Sequence, residues 1–570
     1  MGIPNLLSTL EPFAQPSKLN RRNVVIDGPA LAYHILHKCT ANGFLEPSYE
    51  LLGRSAITWL DTLASHDVIV EAIYFDAFLP PSKRPTRIDR VHKSTTHLVR
   101  LSSKCPHGLP IPGVSPSTLD ASALFDISGQ PSQQKHYPLQ PPFLVPAVID
   151  ALKTSNLYRD SVHLVPGEAD EFCARHVFKA TPACILTSDS DLLVHDLPVG
   201  TGVVFLRDIY STDDNALSCA LFTPADISTQ FEVPCTRLAY ERERLPQATV
   251  NQLRRACLEE TPDEDLYRLF CRQYLQSEKV ISRIPWSFNL LDPRLSELIY
   301  QLSDPSSPEP DMFLPTLTED PSRRSTWEPS MNIRSMGYTF AAQVCKSRHK
   351  TLREHRKIQN VAQHKGTSSK LSKRNARLFL DELLTLLKRC ARYTRSESEP
   401  AWLLACLAID VQDHLKTEKR SCVLEMLRNP ERPSRNSKLH SWELAHVSAH
   451  FLATLYSLRL VDQIFRALPP TAVNELPAGA VELSEHISLI LPALTAFPDI
   501  ATVSRHFKDN GLVEALRARL DEMLGLEGEG PDTIKDIEEE AERGKAGKAN
   551  ANPQIGRRTN NLFDLLSDDQ

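Results

Sequence analysis

The chain has 570 residues, of which 41% are hydrophobic and 24% charged, and its formal net charge is −6. This length exceeds what one hydrophobic core usually supports, so we expect at least two domains. The small net charge excludes general attraction of polyanions, and a nucleic acid would have to bind a local basic patch. The cysteines form no C-x-x-C pair, which argues against a zinc site. No apolar run of membrane-spanning length and no secretory pattern is visible, so we expect a soluble intracellular protein with no membrane partner.

The first 210 residues alternate between short apolar segments and segments with helical periodicity. We predict strands at 23–27, 69–75, 161–165, 183–187 and 203–207, and helices at 30–38, 49–65, 144–154 and 168–179. This alternation predicts a twisted parallel sheet flanked by helices, which is an α/β fold. An insertion at about 79–143 interrupts the pattern with a basic helix over 85–101 and a loop rich in Pro, Ser and Gly. Because it leaves the sheet after an acidic strand end, it should overhang that edge.

Helical periodicity dominates from 211 to 525, which predicts a mostly α-helical C-terminal region. Within it, the composition of 303–333 indicates a linker or surface loop. The stretch 346–377 has eleven Lys and Arg against one acid. It indicates either a solvated helix face or flexible loop, or a phosphate-binding patch or nuclear import signal. The composition of 526–570 predicts a disordered acidic tail. Its amphipathic motif Leu562–Leu566 either has no function or binds a protein partner as a short helix.

Acidic residues follow four of the predicted strands. A parallel sheet would bring six carboxylates to one edge, namely Asp27, Asp76, Glu168, Asp170, Asp189 and Asp191. Like charges raise each other's pKa, so such a group needs cations. Oxygen-only ligation suits Mg²⁺ or Mn²⁺. The pattern therefore favours metal-assisted phosphoryl chemistry.

Short motifs containing these acids occur in a characteristic order. They are Met1-Gly2-Ile3, Val25-Ile26-Asp27 with Tyr33 six residues on, Phe75-Asp76, Pro166-Gly167-Glu168-Ala169-Asp170, and Thr187-Ser188-Asp189-Ser190-Asp191. Together they resemble the XPG-like flap endonucleases, which have a PIN-type domain, and most closely their divergent Asteroid branch. The resemblance covers about a third of the chain and implies a nuclease domain over 1–210.

The resemblance also implies roles for individual residues. The six acids would ligate two Mg²⁺ or Mn²⁺ ions, and Lys83 and Arg90 would contact the scissile phosphate as the catalytic basic pair. Gly2 and Tyr33 would join them in binding nucleic acid, Tyr33 by stacking on a base. Each residue also has an ordinary structural interpretation. Asp27 could simply cap a helix, Tyr33 could be a packed aromatic, and Lys83 and Arg90 could be solvated charges.

The family pattern is incomplete beyond Asp191. XPG-like nucleases continue with a further Asp in a Leu-Gly-x-Asp-Tyr context and with a Gly-rich helix–two-turn–helix. Neither is visible here, and Glu241 is a weak substitute for the missing acid. We expect a Mg²⁺-dependent, structure-selective endonuclease that acts on single-stranded, flap or overhang DNA rather than RNA. We expect it to act in DNA repair. We expect the protein to be located in the nucleus or, failing that, in the cytoplasm.

Two other functions stay open at this stage. The first is a nucleic-acid-binding or scaffold protein of the same fold with a weakened site, for example in RNA regulation. The second is a phosphatase with Asp27 as its nucleophile. The phosphatase would need a second acid two residues on, where Pro29 stands.

Overall fold

The computed structural model describes most of the chain. The described residues are 3–79, 81–111, 116–126, 140–179, 183–195, 197–212, 216–259, 263–272, 274, 291–393, 401–428, 439–468 and 476–524. Residues up to Glu514 form one compact unit, and those from Ala515 onward are grouped separately. The predictions for Gly2, for the tail at 526–570 and for Leu562–Leu566 lie outside the described residues.

The apolar runs of the sequence form the strands. In chain order they are β1 (Gln15–Lys18), β2 (Asn23–Asp27), β3 (Ile69–Phe78), β4 (Leu109–Pro110), β5 (Val162–Pro166), β6 (Cys184–Thr187), β7 (Gly202–Phe205), β8 (Tyr210–Ser211), β9 (Leu217–Phe222), β10 (Asp311–Phe313), β11 (Thr351–His355), β12 (Thr367–Lys370) and β13 (Leu439–His440). All five predicted strands are present as β2, β3, β5, β6 and β7, within a few residues of the predicted bounds.

The central sheet has the order β1-β9-β7-β6-β2-β3-β5, with β8 also paired to β9. Its five predicted strands run parallel, while β9 and β1 continue the sheet antiparallel. The chain leaves β2 towards β3 and β5, and then returns to the other side of β2 through β6. The topological switch point therefore lies between β2 and β6, at their carboxyl ends, where ligands of open α/β sheets usually bind.

The helices follow the predicted periodicity closely. They are α1 (Leu6–Leu10), α2 (Gly28–Ala41), α3 (Tyr49–Ser65), α4 (Arg84–Lys104), α5 (Ala121–Phe125), α6 (Leu144–Thr154), α7 (Ala169–Lys179), α8 (Pro224–Phe231), α9 (Cys235–Arg244), α10 (Val250–Glu259), α11 (Glu264–Cys271), α12 (Pro293–Ser303), α13 (Met331–Val344), α14 (Lys373–Tyr393), α15 (Ala401–Thr417), α16 (Cys422–Arg428), α17 (Trp442–Arg466), α18 (Ala480–Ile490), α19 (Ile500–Lys508) and α20 (Asn510–Leu524). Across the described ranges, no helix combines the length and apolarity needed to span a membrane.

One hydrophobic core joins the sheet to residues beyond 210. Val25 and Ile185 of the parallel strands belong to the same buried cluster as Cys173 of α7, Phe222 of β9 and Leu238 of α9. The predicted α/β fold with a mostly helical C-terminal region is confirmed. The division of the chain into domains at 210 and 525 remains a prediction.

The C-terminal region contains a small sheet that the sequence analysis missed. Strands β10, β11 and β12 pair in that order, parallel and then antiparallel. The basic stretch 346–377 supplies β11 and β12, so its interpretation as a helix face or flexible loop is wrong for those residues. The linker interpretation of 303–333 is also wrong, because Leu314 and Trp327 are buried in this segment. Short polar strands between helices give only a weak periodic signal.

Candidate active site

Asp27 stands at the end of β2 and at the start of α2. Its Oδ1 accepts a hydrogen bond from the backbone N–H of Ala30 (3.2 Å), and its Oδ2 accepts one from the hydroxyl of Thr187 (2.8 Å). The first bond is an ordinary N-cap. The second ties the end of β2 to the end of β6 across the switch point. Asp27 thus caps a helix and also faces the neighbouring acidic strand end.

Asp76, on β3, is linked to the next acidic motif. The N–H of Ala169, at the first residue of α7, donates to its Oδ1 (2.7 Å). Gly167 has a φ of 128°, a conformation that favours glycine, and it makes the turn between β5 and α7. This turn carries Glu168 and Asp170 to the same edge of the sheet as Asp76.

The third motif follows β6 directly. Asp189 accepts a hydrogen bond from the N–H of Asp191 (3.0 Å), and Asp191 accepts one from the N–H of Ile3 (3.1 Å). Ile3, near the amino terminus, therefore lies against the last acidic motif. We call the six carboxylates of Asp27, Asp76, Glu168, Asp170, Asp189 and Asp191 the acidic edge.

Electrostatic coupling shows that the members of the acidic edge lie close together. Burial, together with the charge of Asp189, raises the pKa of Asp27 to about 6. Burial and the charges of Asp27 and Glu168 raise the pKa of Asp76 to about 7. Both carboxylates bind protons more tightly than in water because burial disfavours their charged form and neighbouring acids repel it.

Asp170 and Asp191, which are half-buried, behave in the same way. Burial and the charges of Glu168, Asp27 and Asp76 raise the pKa of Asp170 well above its usual range. Burial and the charge of Asp189 raise the pKa of Asp191 to about 6. The acidic edge therefore stores repulsion that a bound cation would relieve.

Lys83 reaches the acidic edge and Arg90 stands apart from it. The Lys83 Nζ lies 2.9 Å from Glu168 Oε1. Partial burial disfavours its charge, but the hydrogen bond to Glu168 and the charges of Asp170 and Asp191 raise its pKa overall. Arg90 lies two turns further along, on the exposed side of α4. The structure brings only the first of the predicted basic pair into contact with a predicted ligand.

Three further residues face the acidic edge and were not found from the sequence. Burial raises the pKa of Tyr274, and the nearby charges of Asp191, Asp189 and Asp170 raise it further. Its ring meets the ring of His195 edge-on at 5.7 Å. Burial lowers the pKa of His195, although nearby acids including Asp189 oppose this. Arg87 couples to Asp76, whose pKa it lowers. None of the three stands in an acidic motif. Only the position of Arg87 on α4, one turn after Lys83, could have indicated from the sequence that it lies near the acidic edge.

Tyr33 lies on α2 with 47% of its surface exposed. It is not the packed helix aromatic of the ordinary interpretation. An exposed ring six residues beyond Asp27 is free to meet a flat partner such as a base.

Glu241 does not join the acidic edge as a substitute ligand. It is fully buried on α9, where Arg237 lies 2.7 Å and Arg244 2.8 Å from its carboxylate oxygens. These two arginines take up its charge. The weak proposal that Glu241 replaces the family's missing acid therefore has no support in the geometry.

The oxygen atoms of the acidic edge are the type of ligand that a hard divalent cation prefers, but their arrangement does not yet suit one. The acids supply only oxygen atoms, and the backbone amides engage one carboxylate oxygen each of Asp76 and Asp191. Over the described ranges, no group of three or more His, Cys, Asp or Glu side chains is arranged to hold a metal ion. Binding would require side chains such as Glu168, now paired with Lys83, to turn.

Comparison with known families agrees with this geometry. A family model described as "XPG domain containing" matches residues 140–367. The chain is similar to XPG-domain proteins over that range. The range includes Glu168, Asp170, Asp189 and Asp191, and the predicted similarity to the XPG-like superfamily is confirmed. The match does not distinguish the Asteroid branch.

Two solved structures show a distant likeness. The catalytic core of Rad2 in complex with a DNA substrate is 12% identical, with 49% of this chain and 82% of that chain covered and a TM-score of 0.25. Human GEN1 in complex with Holliday junction DNA is 14% identical, with 52% and 72% covered and a TM-score of 0.25. At these scores the likeness carries no argument about the site. None of the curated proteins that were compared matches the sequence.

Proposed function

We propose that the chain is a metal-dependent nuclease of the XPG-like kind that hydrolyses phosphodiester bonds in DNA. The observation that carries this proposal is the acidic edge, where buried and half-buried carboxylates with raised pKa values lie at the carboxyl ends of parallel strands, beside Lys83. A close, fully engaged ion pair has the opposite effect, since Arg334 lowers the pKa of Glu354, whereas the acids of this edge raise one another's pKa. The XPG-domain match over residues 140–367 supports the same class of reaction.

A nucleic acid suits the surface next to the acidic edge. Helix α4 carries exposed cations at helical spacing, namely Arg90, Lys93, Arg100 and Lys104. They span about 21 Å at about 1.5 Å per residue. A strand with a phosphate every ~3.4 Å could place several phosphates along this row. The row begins at the end of α4 that Lys83 precedes, so a bound strand would lead to the acidic edge.

The chain's own residues have distinct tasks in this proposal. A phosphate entering the site would compete with Glu168 for the ammonium group of Lys83 and release the Glu168 carboxylate for a cation. Lys83 would then offset the charge that develops on the phosphate. Tyr33 would hold an unpaired base by stacking. Mg²⁺ or Mn²⁺, most simply two ions held by the acidic edge, would supply an activated water and stabilise the leaving oxygen.

Finer points belong to the same proposal. We propose selectivity for single-stranded, flap or overhang structures, DNA in preference to RNA, a place in the Asteroid branch, and a role in DNA repair in the nucleus. These rest on the motifs around Asp27, Asp76, Glu168 and Asp189. A weakened, nucleic-acid-binding relative is the second candidate. The observation that favours it is that no group of three potential ligands in the described chain is arranged for a metal.

The test is cleavage of labelled 5′-flap, 3′-overhang and single-stranded DNA, and of the matching RNAs, with Mg²⁺, Mn²⁺ or EDTA. We expect metal-dependent cleavage by the wild type and none by Asp189→Asn with Asp191→Asn. Asp160→Asn is the matched control, because this exposed acid precedes β5 at the opposite edge of the sheet. Equal cleavage by all three proteins would contradict the proposed site. Tight binding without metal-dependent cleavage would favour the second candidate.

A further inference from the structure

The cations of α4 fall into two sets. Those described above are exposed, whereas Arg84 and Arg87 at its first turns are bound by acids of the C-terminal region. Arg84 pairs with Asp311 of β10. Arg87 pairs with Glu297 of α12, and its guanidinium lies 4.7 Å from the ring centre of Phe313. The same helix thus offers one face to solvent and fastens the other to a distant part of the chain.

Asp311 is the centre of these contacts. Its side chain is 4% exposed, and Arg84 forks onto both carboxylate oxygens. The Nε2 of His355 lies 2.7 Å and the Nε of Arg353 lies 3.1 Å from Oδ1. Burial opposes the charge of Asp311, but His355 and Arg84 overcome this and lower its pKa to about 2. Asp311 is therefore a fixed anion at the point where α4 begins.

The rest of α4 depends on similar contacts. The helix buries only Thr95, Leu98 and Leu101, and a helix with so small an apolar face gains most of its stability from tertiary contacts. His92 Nδ1 lies 3.2 Å from the carbonyl oxygen of Ile358. Just past its end, the indole of Trp442 donates to the carbonyl of Cys105 (2.7 Å). The helix is thus held at its start, middle and end by residues beyond 290.

We propose that Asp311 is a positioning residue that fixes the first turn of α4, and with it Lys83, before substrate arrives. Lys83 precedes Arg84 directly, so the Arg84–Asp311 pair determines where the Lys83 backbone stands. A catalytic group misplaced by about 1 Å can lose about 10²-fold in rate. The claim that Asp311 holds the first turn of α4, which is the structural half, rests on contacts alone. The claim that this hold speeds cleavage, which is the catalytic half, rests on the proposed function. The C-terminal region would then act as the support of the active site.

The experiment uses the full chain with Asp311→Asn, which keeps the size of the side chain and removes its charge. Arg84→Gln breaks the same pair from the other side. Asp413→Asn is the matched control, because it breaks a comparable ion pair with Arg324 (2.9 Å) on α15. Amide hydrogen exchange reports the opening of α4, and cleavage kinetics report its consequence.

We expect exchange over residues 84–104 to become about tenfold faster in Asp311→Asn and Arg84→Gln, and unchanged in the control. The kcat for DNA cleavage should fall about 10- to 100-fold with KM changed less than threefold. The double variant should show no larger fall in kcat than either single variant. Unchanged exchange would overturn the structural half, and faster exchange with unchanged kcat would overturn the positioning role. Absence of cleavage by the wild type would overturn the proposed function and the positioning role, while the exchange result would still decide the structural half.

Discussion

Buried acids in two regions of this molecule have opposite electrostatics. At the acidic edge, burial and mutual repulsion raise the pKa of Asp27 and Asp76 to about 6 and 7. In the C-terminal region, burial acts on Glu354 in the same direction, but Arg334 grips both of its oxygens (2.7 and 2.9 Å) and lowers its pKa. Asp311 belongs to the second kind. The residue types are the same, and the supply of cations differs.

This difference distinguishes the structural pair of Arg334 and Glu354 from the proposed active site. Arg334 and Glu354 are both buried and complete each other's charge, with Tyr338 donating a further hydrogen bond (3.0 Å). Such a pair needs nothing from outside the protein. The acidic edge is left with repulsion, which costs stability and is tolerated when a site must bind a cation. If Glu354 is structural and the acidic edge is functional, we expect substitutions in the two regions to have different effects.

The largest effect should come from the structural pair. Glu354→Gln leaves Arg334 buried without its counter-charge, so we expect a loss of about 3–5 kcal/mol in the free energy of unfolding. Urea denaturation monitored by circular dichroism measures this loss. Glu482→Gln, which breaks an exposed ion pair with Lys388, is the control and should change the stability little. A loss below about 1 kcal/mol for Glu354→Gln would break the comparison.

The next effect concerns Lys83. Lys83→Ala should lower kcat about 10²- to 10³-fold, because it removes a positive charge aimed at the reacting phosphate. The free energy of unfolding should hardly change, since the ion pair between Lys83 and Glu168 is partly exposed. Single-turnover cleavage at saturating protein separates this effect from binding. Lys93→Ala is the control from the exposed face of α4, and an equal rate loss in both variants would contradict a specific role of Lys83 at the reacting phosphate.

Asp76→Asn should stabilise the metal-free protein while abolishing cleavage. Asn can still accept the hydrogen bond from Ala169. The folded-state pKa of Asp76, about 7, lies above its unfolded value of 3.8, so the folded wild type loses stability as the pH rises from about 4 to about 7. The variant escapes this loss, and we expect a gain of roughly 1–3 kcal/mol at pH 8 and a smaller one at pH 5.

Urea denaturation in EDTA at both pH values tests this prediction. Adding Mg²⁺ or Mn²⁺ should raise the melting temperature of the wild type more than that of the variant, because the cation relieves the same repulsion. Asp160→Asn, at the opposite edge of the sheet, should show neither effect. Equal or lower stability of Asp76→Asn at pH 8 would mean that the acidic edge is already neutralised.

The smallest effect is expected from the exposed row on α4. Replacing Arg100 and Lys104 together by Ala should weaken DNA binding a few-fold and reduce the salt slope of log K by about 2. Fluorescence anisotropy at several salt concentrations measures both quantities. An unchanged slope would show that bound DNA does not follow this face.

Local patterns in the sequence predicted the strands and the acidic edge well. The apolar runs ending at Asp27 and at Thr187 carry their own strand signal, and a parallel sheet then has only one edge at which their following acids can lie. The helix bounds were also close, as with Tyr49–Ser65. These features depend on residues near each other in the chain, which is why periodicity finds them.

Partners distant in sequence were missed. The strand at Asp311–Phe313 has only three residues, and its role appears only when β11 supplies His355 beside it. The cations of 346–377 suggested a solvated or phosphate-binding surface, yet Arg353 and Arg356 lie beside buried acids. Tyr274 and His195 reach the acidic edge from segments without a motif. A charge count cannot tell whether a cation is free or already paired.

The sequence by itself determined that acids follow the strands of a parallel sheet, because apolar runs and the acids that end them are short local patterns. The tertiary structure decided which of those charges remain uncompensated. It left Asp27, Asp76, Asp170 and Asp191 with raised pKa values, placed Glu241 in an ion pair with Arg237, and paired Arg84 with Asp311. The physical reason is that a pKa depends on burial and on charges within a few ångströms, and those neighbours come from positions as distant as 84 and 311.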